Sequence, residues 1–171
     1  MGSPLQKEQT DMTEFTYKPS QWVPFRDVEA LERVRKIKRE DITRHPNPDF
    51  KIRVVKDSDI DFIWATDMFY RIKTAADNGD RVVLILPNPC PVYRHVARLI
   101  NTFRVECNNL RGFAMDEYAN EDGVIAPETW ACGFVYAMKH TFYYQIDEDL
   151  RPPESQVIGP TNQNLKDYGQ M

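Results

Sequence analysis

Apolar positions along this chain recur in two rhythms, one turn of a helix and short unbroken runs, and their alternation sets the expected order of elements. Val28, Leu31, Val34 and Ile37 are spaced about one turn apart, which predicts a helix over residues 27–42. Glu29/Arg33 and Glu32/Lys36 add i,i+4 pairs in the favourable order. His45-Pro46-Asn47-Pro48 ends that helix, because a residue before proline avoids the α region. Ile52, Val54 and Val55 then predict a strand. Asp57 or Ser58 caps a second helix, with Ser58 and Asp61 spaced as a capping box. Ile60, Ile63, Trp64, Met68, Ile72 and Ala75 fall on one face of it, a stripe that reads as core rather than as a cofactor contact. Asn78-Gly79-Asp80 stops this helix.

Val82-Val83-Leu84-Ile85-Leu86 is unbroken, as in a parallel strand covered on both faces. A stiff turn follows, Pro87-Asn88-Pro89-Cys90-Pro91. Val92, Val96, Leu99, Ile100 and Phe103 predict a third helix, and Arg111 to Met115 a third strand, with Asp116 and Glu117 directly after it. A loop holding Gly123 and Pro127 leads to a helix expected from Glu128 to Tyr144, and the chain from Asp147 onward is rich in Pro, Asn and Gln. Strand then helix, three times over, predicts an α/β protein: a Rossmann-like, three-layer parallel sheet with helices on both faces and right-handed crossovers. Residues 1–50 divide off as an N-terminal arm and helix, polar and loose over 1–24, and residues 51–171 as the α/β domain. In such sheets ligands lie beyond the carboxyl ends of the strands. The turn 87–91 and the acidic pair 116–117 both occupy that place.

Composition narrows the classes. With 171 residues, 42% hydrophobic and 28% charged, the chain has enough material for one real core. A formal net charge of −4 argues against general nucleic-acid binding. The basic cluster Arg33, Arg35, Lys36, Lys38 and Arg39 is interleaved with acids and reads as a solvated helix face. No apolar run has the length of a membrane span, and Met1 to Lys18 lacks the apolar core of a secretory signal. Cys90, Cys107 and Cys132 form no C-x-x-C pair; an odd count fits reduced thiols in a cytoplasm and no metal site. Seven glycines yield no G-x-G-x-x-G, no P-loop and no G-x-S-x-G, so no nucleotide cofactor is expected.

The candidate chemistry centres on Met115-Asp116-Glu117-Tyr118. A carboxylate held at a strand terminus can serve as general base for a proton next to a carbonyl; the plainer reading is a polar loop start. Together with Ala126-Pro127-Glu128-Thr129-Trp130, and with Ile146 to Asn162 and Leu165-Lys166-Asp167-Tyr168-Gly169 following in order, this element resembles the glucosamine-6-phosphate deaminase/isomerase family. That family carries M-D-E-Y followed by P-E-S-Y and a helix. The resemblance runs from Lys51 to Met171 and implies conversion of an amino-sugar phosphate to a keto-sugar phosphate and ammonia. It implies that Asp116 moves the proton between C2 and C1, with Glu117 orienting the loop or assisting the site. It implies no metal and no cofactor.

Two departures qualify it. Where the family has a T-G-G-T-P phosphate turn, this chain has Leu86-Pro87-Asn88-Pro89-Cys90-Pro91-Val92-Tyr93, and its prolines have no N–H to offer a phosphate. Substrate contacts would then fall to Asn88, Cys90, Tyr93 or Arg94, the last as a guanidinium fork or as a plain exposed helix charge. The family's ring-opening residues lie in a Gly-rich, His-containing segment that would come after Met171. His45, His95 and His140 have no matching context, and His140 reads as structural. The resemblance therefore implies the first half of a cytoplasmic enzyme, inactive alone, that associates with itself or with a completing C-terminal chain. A non-catalytic sugar-phosphate-binding or regulatory relative, or a phosphogluconolactonase-like hydrolase, are the alternatives.

Overall fold

A computed structural model describes residues 27–171, which divide into two compact units with the boundary in the chain between Val54 and Val55. The arm expected over 1–24 lies outside the described residues. In the first unit, α1 spans Val28–Arg35, with the Asp27 carboxylate accepting from the Ala30 N–H at 2.8 Å as its N-cap. A single 3-10 turn follows at Arg39–Asp41. The helix expected to reach residue 42 is thus half that length. None of its residues is buried, so no packing carries it past the run of like charges that begins at Arg33. The ion pair that forms is Arg35–Glu32 at 2.9 Å, one turn apart, rather than the two i,i+4 pairs read from the sequence.

The strand expected at 52–55 is absent; residues 51–56 have no regular structure. The second unit opens instead with α2, Asp57–Asn78, which no side chain caps. Ser58 Oγ donates to Asp59 Oδ1 at 3.0 Å, and the expected capping box with Asp61 does not form. Ala65, Met68, Ile72 and Ala75 face the core. Gly79 ends the helix at φ 73°, a left-handed conformation that glycine adopts without a Cβ clash. β1 (Val82–Leu86), α3 (Tyr93–Thr102), β2 (Leu110–Ala114), α4 (Phe134–Thr141) and β3 (Val157–Ile158) complete the unit.

The strands pair in parallel in the order β1-β2-β3, with Val82 opposite Leu110, Leu86 opposite Ala114 and Phe113 opposite Ile158. The molecule is therefore α/β with a Rossmann-like parallel sheet, but its third strand is the two-residue Val157–Ile158 rather than 52–55. One core unites α2, α3 and α4 with Leu86, Leu110, Ala114 and Val157. α4 lies so close to β3 that a Cβ at Gly159 would collide with Val135. The residues that alternate with the inward ones on β1 are not covered: Val83 is 54% and Ile85 66% exposed. β1 is thus buried on one face, not on both. Farther along that open side, Tyr168 lies edge-on against Phe113 at 5.9 Å, and its hydroxyl donates to the carbonyls of Ala114 and Ile158.

Candidate active site at the carboxyl edge of the sheet

β1 and β2 end side by side, so the segments that follow them share one edge of the sheet. The Leu86 carbonyl accepts from the Met115 N–H at 3.1 Å and from Asn88 Nδ2 at 2.8 Å. One oxygen thereby ties the 87–91 turn to the backbone just before Asp116. Asn88 Oδ1 is buried and has no hydrogen-bond partner. Asp116 is exposed, and no hydrogen bond or ion pair engages its carboxylate among the described residues.

Glu117 is committed elsewhere. Its Oε1 accepts from the N–H groups of Tyr118 at 2.8 Å and Phe134 at 2.9 Å, and its Oε2 accepts from Val135 at 2.7 Å. Phe134 and Val135 open α4, so this carboxylate satisfies two N–H groups that no helical carbonyl can reach, at the positive end of the helix. It caps a helix, with both oxygens engaged by backbone N–H groups. Gly133 stands at the N-cap because a Cβ there would meet Glu117 Oε2 at 3.2 Å and the Trp130 carbonyl at 3.1 Å.

The other sequence candidates divide. Arg94 lies exposed on the first turn of α3. Tyr93 has no exposed surface; its hydroxyl donates to the Pro87 carbonyl at 2.8 Å, and its ring packs against Trp64 and Phe142 at 6.3 and 5.8 Å. Burial first, then the neighbouring Cys90, push its pKa well above the usual tyrosine range. Tyr93 is a core residue that braces the turn, and as a substrate contact it is corrected. Cys90 is also buried, 6% exposed. Burial raises its thiol pKa, against the N–H groups of Val92 and Tyr93, which face the sulfur and would favour a thiolate. The four members of the turn cluster thus divide: Asn88 and Arg94 stay near the edge, while Tyr93 and Cys90 withdraw into the core.

Several contributors carry no sequence signal, because their partners are far away in the chain. Lys139, on α4 and only 7% exposed, bonds Glu128 at 2.7 Å and Glu154 at 3.0 Å. Asn162 clamps the loop after Asp116: its Oδ1 accepts from the Ile125 N–H at 2.9 Å and its Nδ2 donates to the Ile125 carbonyl at 3.3 Å. His140, by contrast, has a local partner and stacks on Tyr136, one turn earlier, at 3.7 Å. Among the described residues no group of three His, Cys, Asp or Glu is placed to hold a metal, and no helix is long and apolar enough to cross a membrane.

No family model and no curated protein matches the sequence. Among solved structures, the fold is similar to that of a protein described as a monomeric glucosamine-6-phosphate deaminase, a missing link of the NagB superfamily. The TM-score is 0.54 and the identity 20%, over 70% of this chain and 48% of that one. The likeness establishes the fold, and this chain matches about half the length of that relative.

Proposed function

We propose that this chain supplies the enolisation base of an amino-sugar-phosphate isomerase/deaminase, acting on glucosamine 6-phosphate to give fructose 6-phosphate and ammonia. The observation that carries the reading is an exposed, unpartnered carboxylate, Asp116, at the carboxyl end of the central strand of a parallel sheet. The half-matched deaminase fold supports it. In the open-chain sugar, Asp116 takes the proton from C2 and an enolamine forms. Returning that proton to C1 leaves an imine at C2, which water hydrolyses to the ketone and ammonia. Glu117 acts through position: by capping α4 it fixes the backbone on which Asp116 stands. Three free thiols support a reducing, cytoplasmic setting.

A second reading has its own observation. The turn beside Asp116 has three prolines and withdraws Cys90 and Tyr93 into the core, so it offers few donors to a phosphate. That favours a non-catalytic sugar-phosphate-binding or regulatory relative. One experiment separates the two. Ammonia release from glucosamine 6-phosphate is followed with the full chain in whatever assembly it forms, alongside the thermal shift on adding the sugar phosphate. Turnover that falls about a hundred- to ten-thousand-fold in Asp116→Asn supports catalysis. A thermal shift without ammonia supports the binding relative. Turnover unchanged in Asp116→Asn removes Asp116 as the base, and neither shift nor turnover removes both readings.

A further inference from the structure

A recess of about 420 Å³ lies in the loop that follows Asp116, lined by Tyr118, Asn120, Val124, Ile125, Pro127 and Trp130 among others. Its walls are fixed before any ligand arrives. Ala119 and Ile125 form an antiparallel bridge, the Ala126 N–H donates to the Tyr118 carbonyl at 2.9 Å, and Asn162 clamps Ile125 from the C-terminal segment. Asn120 Oδ1 holds the turn by accepting from the N–H groups of Asp122 at 3.1 Å and Val124 at 2.8 Å. Two aromatic rings meet there edge-on, Tyr118 and Trp130 at 5.7 Å, yet both keep much of their surface in solvent, 49% and 44%.

The loop that forms this recess carries charge of one sign in its own sequence. From Asp116 to Trp130 the chain holds Asp116, Glu117, Glu121, Asp122 and Glu128 and no Lys, Arg or His. Glu117 is spent on α4 and Glu128 on Lys139. Glu121 and Asp122, in the turn that joins Asn120 to Val124, have no cationic partner among the described residues. Tyr118 also packs on Phe134 at 4.4 Å, which leaves Trp130 as the main aromatic platform. Half-exposed aromatic rings beside unpaired carboxylates attract a positive charge carried on an apolar body, since the ring quadrupole and the acids act in the same direction. We infer that this recess is a binding site for an organic cation, an ammonium group on a small apolar frame, seated on Trp130 and Tyr118. Its lining does not include Asp116, and the binding does not use that carboxylate.

The test titrates the isotope-labelled full chain with benzyltrimethylammonium, with uncharged benzyl alcohol as control, and reads the backbone and indole NMR shifts. Saturable shifts should centre on Tyr118, Val124 and Trp130, and benzyl alcohol should bind about tenfold more weakly. Trp130→Ala should abolish the shifts. The double variant Glu121→Gln/Asp122→Asn, confined to an exposed turn, should keep the melting temperature of the wild type and weaken cation binding several-fold at low salt, where charge attraction is least screened. Absence of saturable shifts at Tyr118 and Trp130 overturns the inference. So does benzyl alcohol binding as tightly as the cation, or a double variant that binds the cation as tightly as the wild type.

Discussion

Asp116 and Glu117 are neighbours in sequence with opposite duties, and the difference lies in what each carboxylate touches. Glu117 accepts three backbone N–H groups, two of them from the first turn of α4. Replacing a helix-capping acceptor costs about 0.5–2 kcal/mol, so Glu117→Ala should lower unfolding stability by an amount in that range. Glu117→Gln keeps one acceptor oxygen but loses the charge at the helix terminus, and should cost less than the alanine variant. Asp116→Asn removes no contact and should leave the denaturation midpoint unchanged within about 0.5 kcal/mol. The measurement is urea denaturation of all three variants. A stability loss in Asp116→Asn that matches Glu117→Ala would mean the two residues share a structural role, and the assignment of Asp116 to chemistry would fall.

At the scale of elements, what the sequence foretold and what it hid follow from how local each cause is. α2, α3, β1 and β2 were legible because each carries its own periodic or unbroken apolar pattern and its own stop signal, such as Gly79. α4 begins at Phe134 rather than near Glu128 because its cap is a side chain seventeen residues upstream, and no local pattern encodes that. Residues 127–133 spend themselves on turns instead, with the Trp130 N–H on the Pro127 carbonyl and the Gly133 N–H on that of Trp130. β3 hid for a similar reason: two residues make no rhythm, and only pairing with Gly112 and Phe113 defines them. Val54 and Val55 had strand-like residues but no neighbouring strand. The candidate site was legible as a place, the carboxyl edge, but not as a set of exposed groups, because the burial of Tyr93 depends on Trp64 and Phe142. One long-range contact is open to titration. A hydrogen bond and ion pair from Lys139 hold the Glu154 carboxyl below its usual value of 4.5. Burial pulls the Lys139 pKa down, but its bonds to Glu128 and Glu154 outweigh that and raise it above 10.5. The stability difference between wild type and Glu154→Gln should therefore be flat between those two values. It should shrink as pH falls through the depressed Glu154 pKa, and again as pH rises through the raised Lys139 pKa. Glu154 is half exposed, so the plateau should stay below about 1 kcal/mol. A difference that grows on acidification would contradict the pairing.

On the scale of the whole molecule, the open face of the sheet is the unresolved balance. Parallel strands occur almost only where both faces are covered, because the crossovers place helices there. Here the helices share a single core on one side, while Val83 and Ile85 stand exposed on the other and the outer edge of β1 has no partner strand among the described residues. An apolar strand with a free edge and a free face is a template for another chain. Covering a valine or isoleucine that was half in water is worth on the order of 1 kcal/mol each, and a symmetric contact counts both copies. Among the strand residues on this face, Val83, Ile85, Arg111 and Phe113, Arg111 is the one charged side chain, so a second copy meets little like-charge penalty from the strands themselves. Self-association is therefore the expected state, and sedimentation velocity across a concentration series should show species heavier than the monomer. Val83→Lys/Ile85→Lys places two charges on the face without touching the core and should yield a monomer with an unchanged far-ultraviolet spectrum. If the wild type sediments as a monomer at every concentration, the open face is covered within the chain itself. If the lysine variant still associates, the contact lies elsewhere, and the sheet is not what joins the copies.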